Sequence, residues 1–131
     1  MPVDRLKIGR TKERECAEAM CANGQLRCYW LPPRAKYDGQ DVFGVFDFVG
    51  IGHDGAVVSV QVCRRRPSDI QVRKAKIEMF CRWYNPALKP ILAYYAKGGF
   101  TLEEYTPDEI WRITALLPYP VLDDNESGGD V

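Results

Sequence analysis

The stretch "FDFVGIGHDGAVVSVQVC" (Phe46–Cys63) decides the fold. Two apolar runs flank "HDG" (His53–Gly55), a tight hairpin signal. The first run, "VFGVFDFVGI" (Val42–Ile51), reads as a strand that carries a single carboxylate, Asp47. The second, "AVVSVQV" (Ala56–Val62), reads as its partner. Side chains alternate along a strand, so Ser59, Gln61 and Cys63 share one face and Val58, Val60 and Val62 the other. Asp47 and Gln61 lie equally far from Asp54. A hairpin centred there makes them cross-strand neighbours, with β-carbons about 5 Å apart.

The elements on either side complete the pattern. "TKERECAEAMCANG" (Thr11–Gly24) reads as a helix, with Thr11 as N-cap, Gly24 just past its end, and Cys16, Ala17, Met20 and Cys21 as an apolar stripe. Glu13 lies on the same side as Ala17 and Met20, at the edge of the buried face. "LRCYWLP" (Leu26–Pro32) reads as a strand and "PRAKYDGQD" as a loop. After "RRRPS", with Ser68 as the expected N-cap, a second helix is expected over Asp69–Asn85. "PILAYYAKGG" (Pro90–Gly99) and "FTLEEYT" (Phe100–Thr106) read as an antiparallel pair. Thr106 and Pro107 signal a third helix over Pro107–Leu117. The order α-β-β-β-α-β implies an α/β fold, a mixed central sheet flanked by helices.

The 131 residues suit one domain, expected over 1–117. Residues 118–131 hold four of the 18 acids and none of the 18 bases, and read as a disordered acidic tail. The remainder carries 18 bases against 14 acids, so a net charge of zero conceals a segregated one. No 18-residue apolar run is present, which excludes a membrane helix, and the first ten residues lack a signal-peptide apolar region. The five cysteines are odd in number, without CxxC, and His53 is the sole histidine. A structural zinc site does not fit, and the thiols suit the reducing cytoplasm. His53 sits at the far end of the hairpin from Cys63, so a Cys–His enzyme does not fit either.

What fits is oxygen chemistry. Glu13, Asp47 and the Gln61 amide offer the ligands that a hard cation such as Mg2+ accepts. Such an ion polarises a phosphoryl oxygen and activates water. The arginines Arg64, Arg65 and Arg66 alongside suit phosphate contacts.

At these residues the chain resembles the PD-(D/E)xK nuclease superfamily, most closely its archaeal-type Holliday-junction resolvase branch and a phage-type QxT variant. "KERECAEAMCANG" resembles the family's first helix and sets Glu13 on its acid. "FDFVGI" resembles the aspartate motif at Asp47, and "VVSVQVC" resembles the E/Q-x-K strand, with Gln61 on its acid and Cys63 on its lysine. "DVFGVFD" adds Asp41 as a further ligand. The likeness covers about residues 9–80. It implies a restriction-endonuclease-like core and a Mg2+-dependent DNA endonuclease (Mn2+ substituting) that hydrolyses phosphodiesters, with branched DNA in its range. It further implies a homodimer, for which Trp83, Tyr84 and Trp111 are interface candidates, and a phage-encoded origin. Cys63 cannot supply a fixed positive charge. In this family the lysine also migrates to the following helix, which implies Lys76, with Lys74 second. "RKAKI" further implies Arg73 as a phosphate contact, and Arg64–Arg66 and Lys74 join it as nucleic-acid contacts. The alternatives are a nuclease-fold nucleic-acid binder that does not cut, and a viral structural or interaction protein on the same scaffold.

Overall fold

The computed structural model describes residues 5–33 and 42–121. Asp41 and the segment 122–131 lie outside the described residues. The first helix, α1, spans Arg5–Ala22, so it starts a turn and a half before the expected Thr11. Leu6, Lys7 and Arg10 are good helix formers, and they extend the helix past the Thr11 signal. Its end is as expected. Gly24 takes a φ of 84°, Gln25 N–H donates to Met20 O, and Gly24 N–H donates to Cys21 O. That is a Schellman closure, which needs a left-handed residue where glycine stands.

Six strands follow: β1 (Cys28–Trp30), β2 (Phe48–Ile51), β3 (Val57–Arg64), β4 (Lys89–Ala96), β5 (Gly99–Tyr105) and β6 (Trp111–Leu117). They form one mixed sheet in sequential order. All neighbours are antiparallel except β3 and β4, which are parallel and joined by helix α2 (Pro67–Tyr84). Helix α2 starts at Pro67, with Arg66 rather than Ser68 at the cap position and no side-chain cap bond. Proline at the first helical position takes that place without cost, since its missing N–H has no partner there in any helix.

The β2–β3 register is the expected one, with Phe48 opposite Val60 and Val49 opposite Ser59. The strand itself is shorter than the apolar run. Residues Val42–Phe46 close on themselves through a Val42–Phe46 bridge, with left-handed Phe43 and Gly44 inside the turn. β1 is likewise only three residues, held close to β2 because Gly50 has no side chain; a β-carbon there would lie 2.7 Å from Cys28 O.

The expected third helix is a strand. Thr106 Oγ1 donates to Ile110 O at 3.0 Å, and Thr106 N–H donates to the same carbonyl at 2.9 Å, closing a tight turn instead of a helix start. Trp111 and Ile113, strand-favouring residues, then pair with Tyr105 and Glu103 of β5, and Thr114 falls at a register shift between Ile113 and Ala115. Thr–Pro is shared by helix starts and turns, and the tertiary partner decided the outcome. Trp111 is partly buried, tilted against Tyr105, and its Nε1 donates to Glu78 at 2.7 Å. It is a packing residue rather than an exposed anchor.

Alternation divides the core. Val58, Val60, Val62, Ile91, Ala93, Phe100 and Leu102 meet Cys16, Ala17 and Met20 of α1. Cys63, Leu92, Tyr94 and Tyr105 meet Ile77 of α2, together with Val45 and Phe46 from the turn before β2. The sheet is therefore sandwiched between two helices. Ile77 is the one fully buried residue of α2. Ile77→Ala is expected to cost roughly 2–5 kcal/mol in urea unfolding, whereas Met79→Ala, on the exposed side of the same helix, should change stability by less than about 0.5 kcal/mol.

Candidate functional site

Asp47 precedes β2 by one residue and is buried. Its backbone N–H donates to Val60 O, and its carboxylate Oδ2 accepts from Val62 N–H at 2.7 Å and from Gln61 Nε2 at 3.0 Å. The cross-strand pair expected from the hairpin is thus a direct contact. Gln61 gives its donor end to the carboxylate. Its carbonyl Oε1 is buried and has no hydrogen-bond partner among the described residues.

Glu13 is buried at the sheet-facing side of α1. It lines a polar cleft of about 220 Å³ with Lys12, the β3 end (Val62, Cys63, Arg64), Asp69 and Arg73 of α2, and Tyr95 of β4. The cleft lies at the edge where both faces of β3 become accessible, so residues from both layers reach it. Burial pushes the Cys16 thiol far above its ordinary value, and the charges of Asp47 and Glu13 add to the rise. Among the described residues, no three His, Cys, Asp or Glu side chains stand close enough to hold a metal ion. The oxygen set brought into direct contact is Asp47 with Gln61, and Glu13 faces the adjoining cleft.

The basic candidates separate. Lys76 is exposed on α2 and does not line the cleft. Lys74 is engaged elsewhere: its Nζ bridges Glu103 at 2.8 Å and lies 5.1 Å from the centre of the Trp111 ring. Arg73 does line the cleft, and its Nε is buried without a hydrogen-bond partner. Arg64, Arg65 and Arg66 are all exposed and diverge. Arg64 lines the Glu13 cleft, while Arg65 lines a second one with Tyr94, Leu116 and Leu117.

Three cleft residues were not singled out by the sequence: Lys12, Asp69 and Tyr95. Asp69 stands one helical turn before Arg73, a spacing that was legible once α2 was assigned. Tyr95 enters through the parallel register that sets it beside Arg64, which nothing local encodes. Lys12 is ion-paired to Glu15 at 3.1 Å and lies over the rings of Tyr95 and Tyr119. Burial works against its charge, but Glu15 more than offsets that and holds its pKa above the ordinary value.

Comparison of the chain with protein-family models, curated proteins and solved structures gave no match.

Cys63 fills the strand position two beyond Gln61 and is buried. Burial raises its thiol to about 11, against the pull of the Arg73 guanidinium, with Asp69 and Asp47 adding to the rise. Between its ordinary value near 9 and that figure, the folded protein keeps a proton that the unfolded chain has lost, so Cys63 makes stability fall as pH rises through this window. At neutral pH the thiol carries no charge. Exposed Cys28 is expected to react with iodoacetamide at pH 8 while Cys63 and Cys16 stay unmodified until the protein is unfolded. Mass mapping of the alkylated cysteines checks this, and rapid native labelling of Cys63 would contradict the burial.

Proposed function

We propose that the chain is a Mg2+-dependent endonuclease that hydrolyses DNA phosphodiesters in the cytoplasm. The observation that carries this reading is the buried Asp47–Gln61 contact with its unpartnered carbonyl oxygen, next to a cleft lined by Glu13, Arg64 and Arg73. A buried acceptor without a donor costs about 1–3 kcal/mol and calls for an explanation. Turning the Gln61 amide about its last bond would bring Oε1 beside the Asp47 carboxylate, and two such oxygens, with Glu13 near, suit a hard cation. When bound there, Mg2+ would polarise a phosphoryl oxygen and lower the pKa of a water. The protein's own groups do the rest. Arg64 and Arg73 hold a non-bridging phosphate oxygen by charge-assisted hydrogen bonds. Exposed Arg65 and Arg66 bind neighbouring phosphates of the strand. The order α-β-β-β-α-β, with a helix on each face of a mixed sheet, is the order a restriction-endonuclease-like core requires, and it supports the reading.

A second reading is favoured by Cys63. The neutral thiol stands where the resembling family has a lysine, and a domain of this kind would bind nucleic acid without cutting it. The two readings separate in one set of measurements. Asp47→Ala would strip the Val62 N–H of its acceptor, so Asp47→Asn, which keeps one acceptor oxygen, is the cleaner variant. In the nuclease reading, Asp47→Asn lowers Mg2+-dependent nicking of branched or duplex DNA at least a hundredfold, an effect of about 2.7 kcal/mol on the barrier, and leaves DNA affinity nearly unchanged. Gln61→Glu sets two carboxylates together, lowering the melting temperature without divalent ions and restoring it with millimolar Mg2+ or Mn2+. Binding that withstands EDTA, no nicking by the unaltered protein, and no rescue of Gln61→Glu by either ion would leave the binder reading.

A further inference from the structure

At the C-terminal end of α2 three aromatic rings stand together. Phe80 stacks on Phe43, with ring centres 5.7 Å apart and planes 23° from parallel, and Tyr84, one turn on, tilts against Phe80 at 5.2 Å. Phe43 and Tyr84 are exposed. All three line an apolar groove of about 570 Å³ together with Val57, Pro86 and Leu88, and no charged side chain lines it among the described residues. That volume is in the range of sites that hold a small planar group. Two local features build the groove. Phe43 takes a φ of 57° and Gly44 one of 72°. This tight turn leaves the Phe43 ring outside while Val45 and Phe46 enter the α2 layer. Asn85, left-handed at φ 42°, closes α2 by donating its N–H to Cys81 O, and Pro86 and Leu88 follow it into the groove lining. A bulky residue in the left-handed region is uncommon and strained, so a turn that spends it on an exposed ring calls for a use of that ring.

The groove continues a basic track. Arg73, Lys76, Phe80 and Tyr84 follow one another at spacings of three, four and four residues, which is one stripe along a helix. Arg73 lines the Glu13 cleft, and Lys76 is exposed between it and the rings. Two helical turns separate Arg73 from Phe80, about 10 Å, roughly three nucleotides at stacked spacing. Cations thus give way to aromatic faces along one side of α2. Cations beside a charge-free aromatic groove suit a polyanion whose side groups are neutral and planar, and an unpaired nucleic-acid strand is such a polyanion. In a duplex the base faces are stacked on one another and out of reach.

We propose that the Phe43–Phe80–Tyr84 groove is a base-stacking subsite for single-stranded nucleic acid, with Lys76 on the phosphates that lead to it from the Glu13–Arg73 cleft. The subsite rests on the nucleic-acid reading of that cleft and names its substrate class, strands with an unpaired segment. It holds whether or not the domain cuts them. Lys76, which the cleft does not use, gains a ligand in this arrangement.

The test uses the full chain. Its affinity for a short labelled single-stranded oligonucleotide and for a blunt duplex of equal length is measured by fluorescence anisotropy, in EDTA and in Mg2+. The unaltered protein is expected to prefer the single strand. Phe43→Leu, which keeps apolar bulk without a π-face, and Tyr84→Ala should each lower single-strand affinity roughly five- to hundredfold. Phe43→Trp should retain it, and duplex affinity should stay unchanged in all three. Lys76→Gln should reduce the slope of log affinity against log salt by about 0.7. Ile113→Ala, at an exposed apolar side chain of β6, is the reference. Phe43 and Tyr84 are exposed, so their variants are expected to fold, and urea unfolding checks this. Single-strand binding that Phe43→Leu and Tyr84→Ala leave at the level of Ile113→Ala overturns the subsite while the nucleic-acid reading stands. Loss of a self-associated form in those variants by ultracentrifugation, with strand affinity unchanged, assigns the groove to a second copy of the chain and overturns the subsite as well. An unaltered protein that binds neither oligonucleotide ends both the subsite and the nucleic-acid reading.

Discussion

The Asp47 carboxylate on the Val62 N–H is the interaction around which the rest is arranged. A buried carboxylate without donors is prohibitively unfavourable, and at the mouth of the β2–β3 ladder Val62 N–H and the Gln61 amide both donate to Asp47. Its oxygen takes the β3 donor that the next β2 residue would otherwise have served. The strand therefore ends at Phe48, and the preceding chain is free to fold back through the Val42–Phe46 bridge. That return drops Phe46 into the α2 layer, edge-on to Phe80 at 5.6 Å. One side-chain bond thus sets where β2 begins, seats an aromatic and orients the Gln61 amide.

The β3–α2–β4 crossover does the remaining positioning. A parallel connection returns the chain to the same end of the sheet, so the end of β3, the start of α2 and the end of β4 converge. Strand alternation sends Val62 to the α1 layer and Cys63 to the α2 layer, and the cleft at their edge draws on both. Within it Lys12, Arg64 and Arg73 face Glu13 and Asp69, an excess of one positive charge. The Arg73 guanidinium pulls the Cys63 thiol down, and burial opposes that pull and wins. The positive charge of the cleft therefore comes from both helices, through Lys12 and Arg73, and from Arg64 at the end of β3.

Legibility tracked the range of the interactions. The hairpin register was readable because it depends on residues within a few positions of Asp54, and the helix end at Gly24 was readable for the same reason. The start of α1 was misplaced because a threonine inside a run of helix formers looks like a cap. β6 was misread because Thr106 and Pro107 fit both a helix start and a turn, and the choice belonged to β5, which needed a partner. Lys76 was implied by the resemblance, but only a helix phase fixed by Ile77 decides which cations of α2 look into the cleft, and that phase favours Arg73. Tyr95 depended on a parallel pairing across a whole helix, beyond any local signal.

In the proposed nuclease reading, glutamine at position 61 would reconcile a stable fold with a cation site. Two carboxylates in direct contact repel, and a pair of them next to a strand end is tolerable only with a cation or a proton between them. An amide removes that demand, because its N–H donates to Asp47 and the contact is favourable with nothing bound. The same exchange removes one negative charge from the set facing an ion, and affinity for a hard cation falls with ligand charge. In the proposed nuclease reading, a site built this way would fold without its ion and hold it weakly, and the phosphate oxygens of a bound strand would be the ligands that complete it. The buried Gln61 carbonyl, with one hydrogen bond unmade, is the feature that this reading would account for: an acceptor kept for a cation.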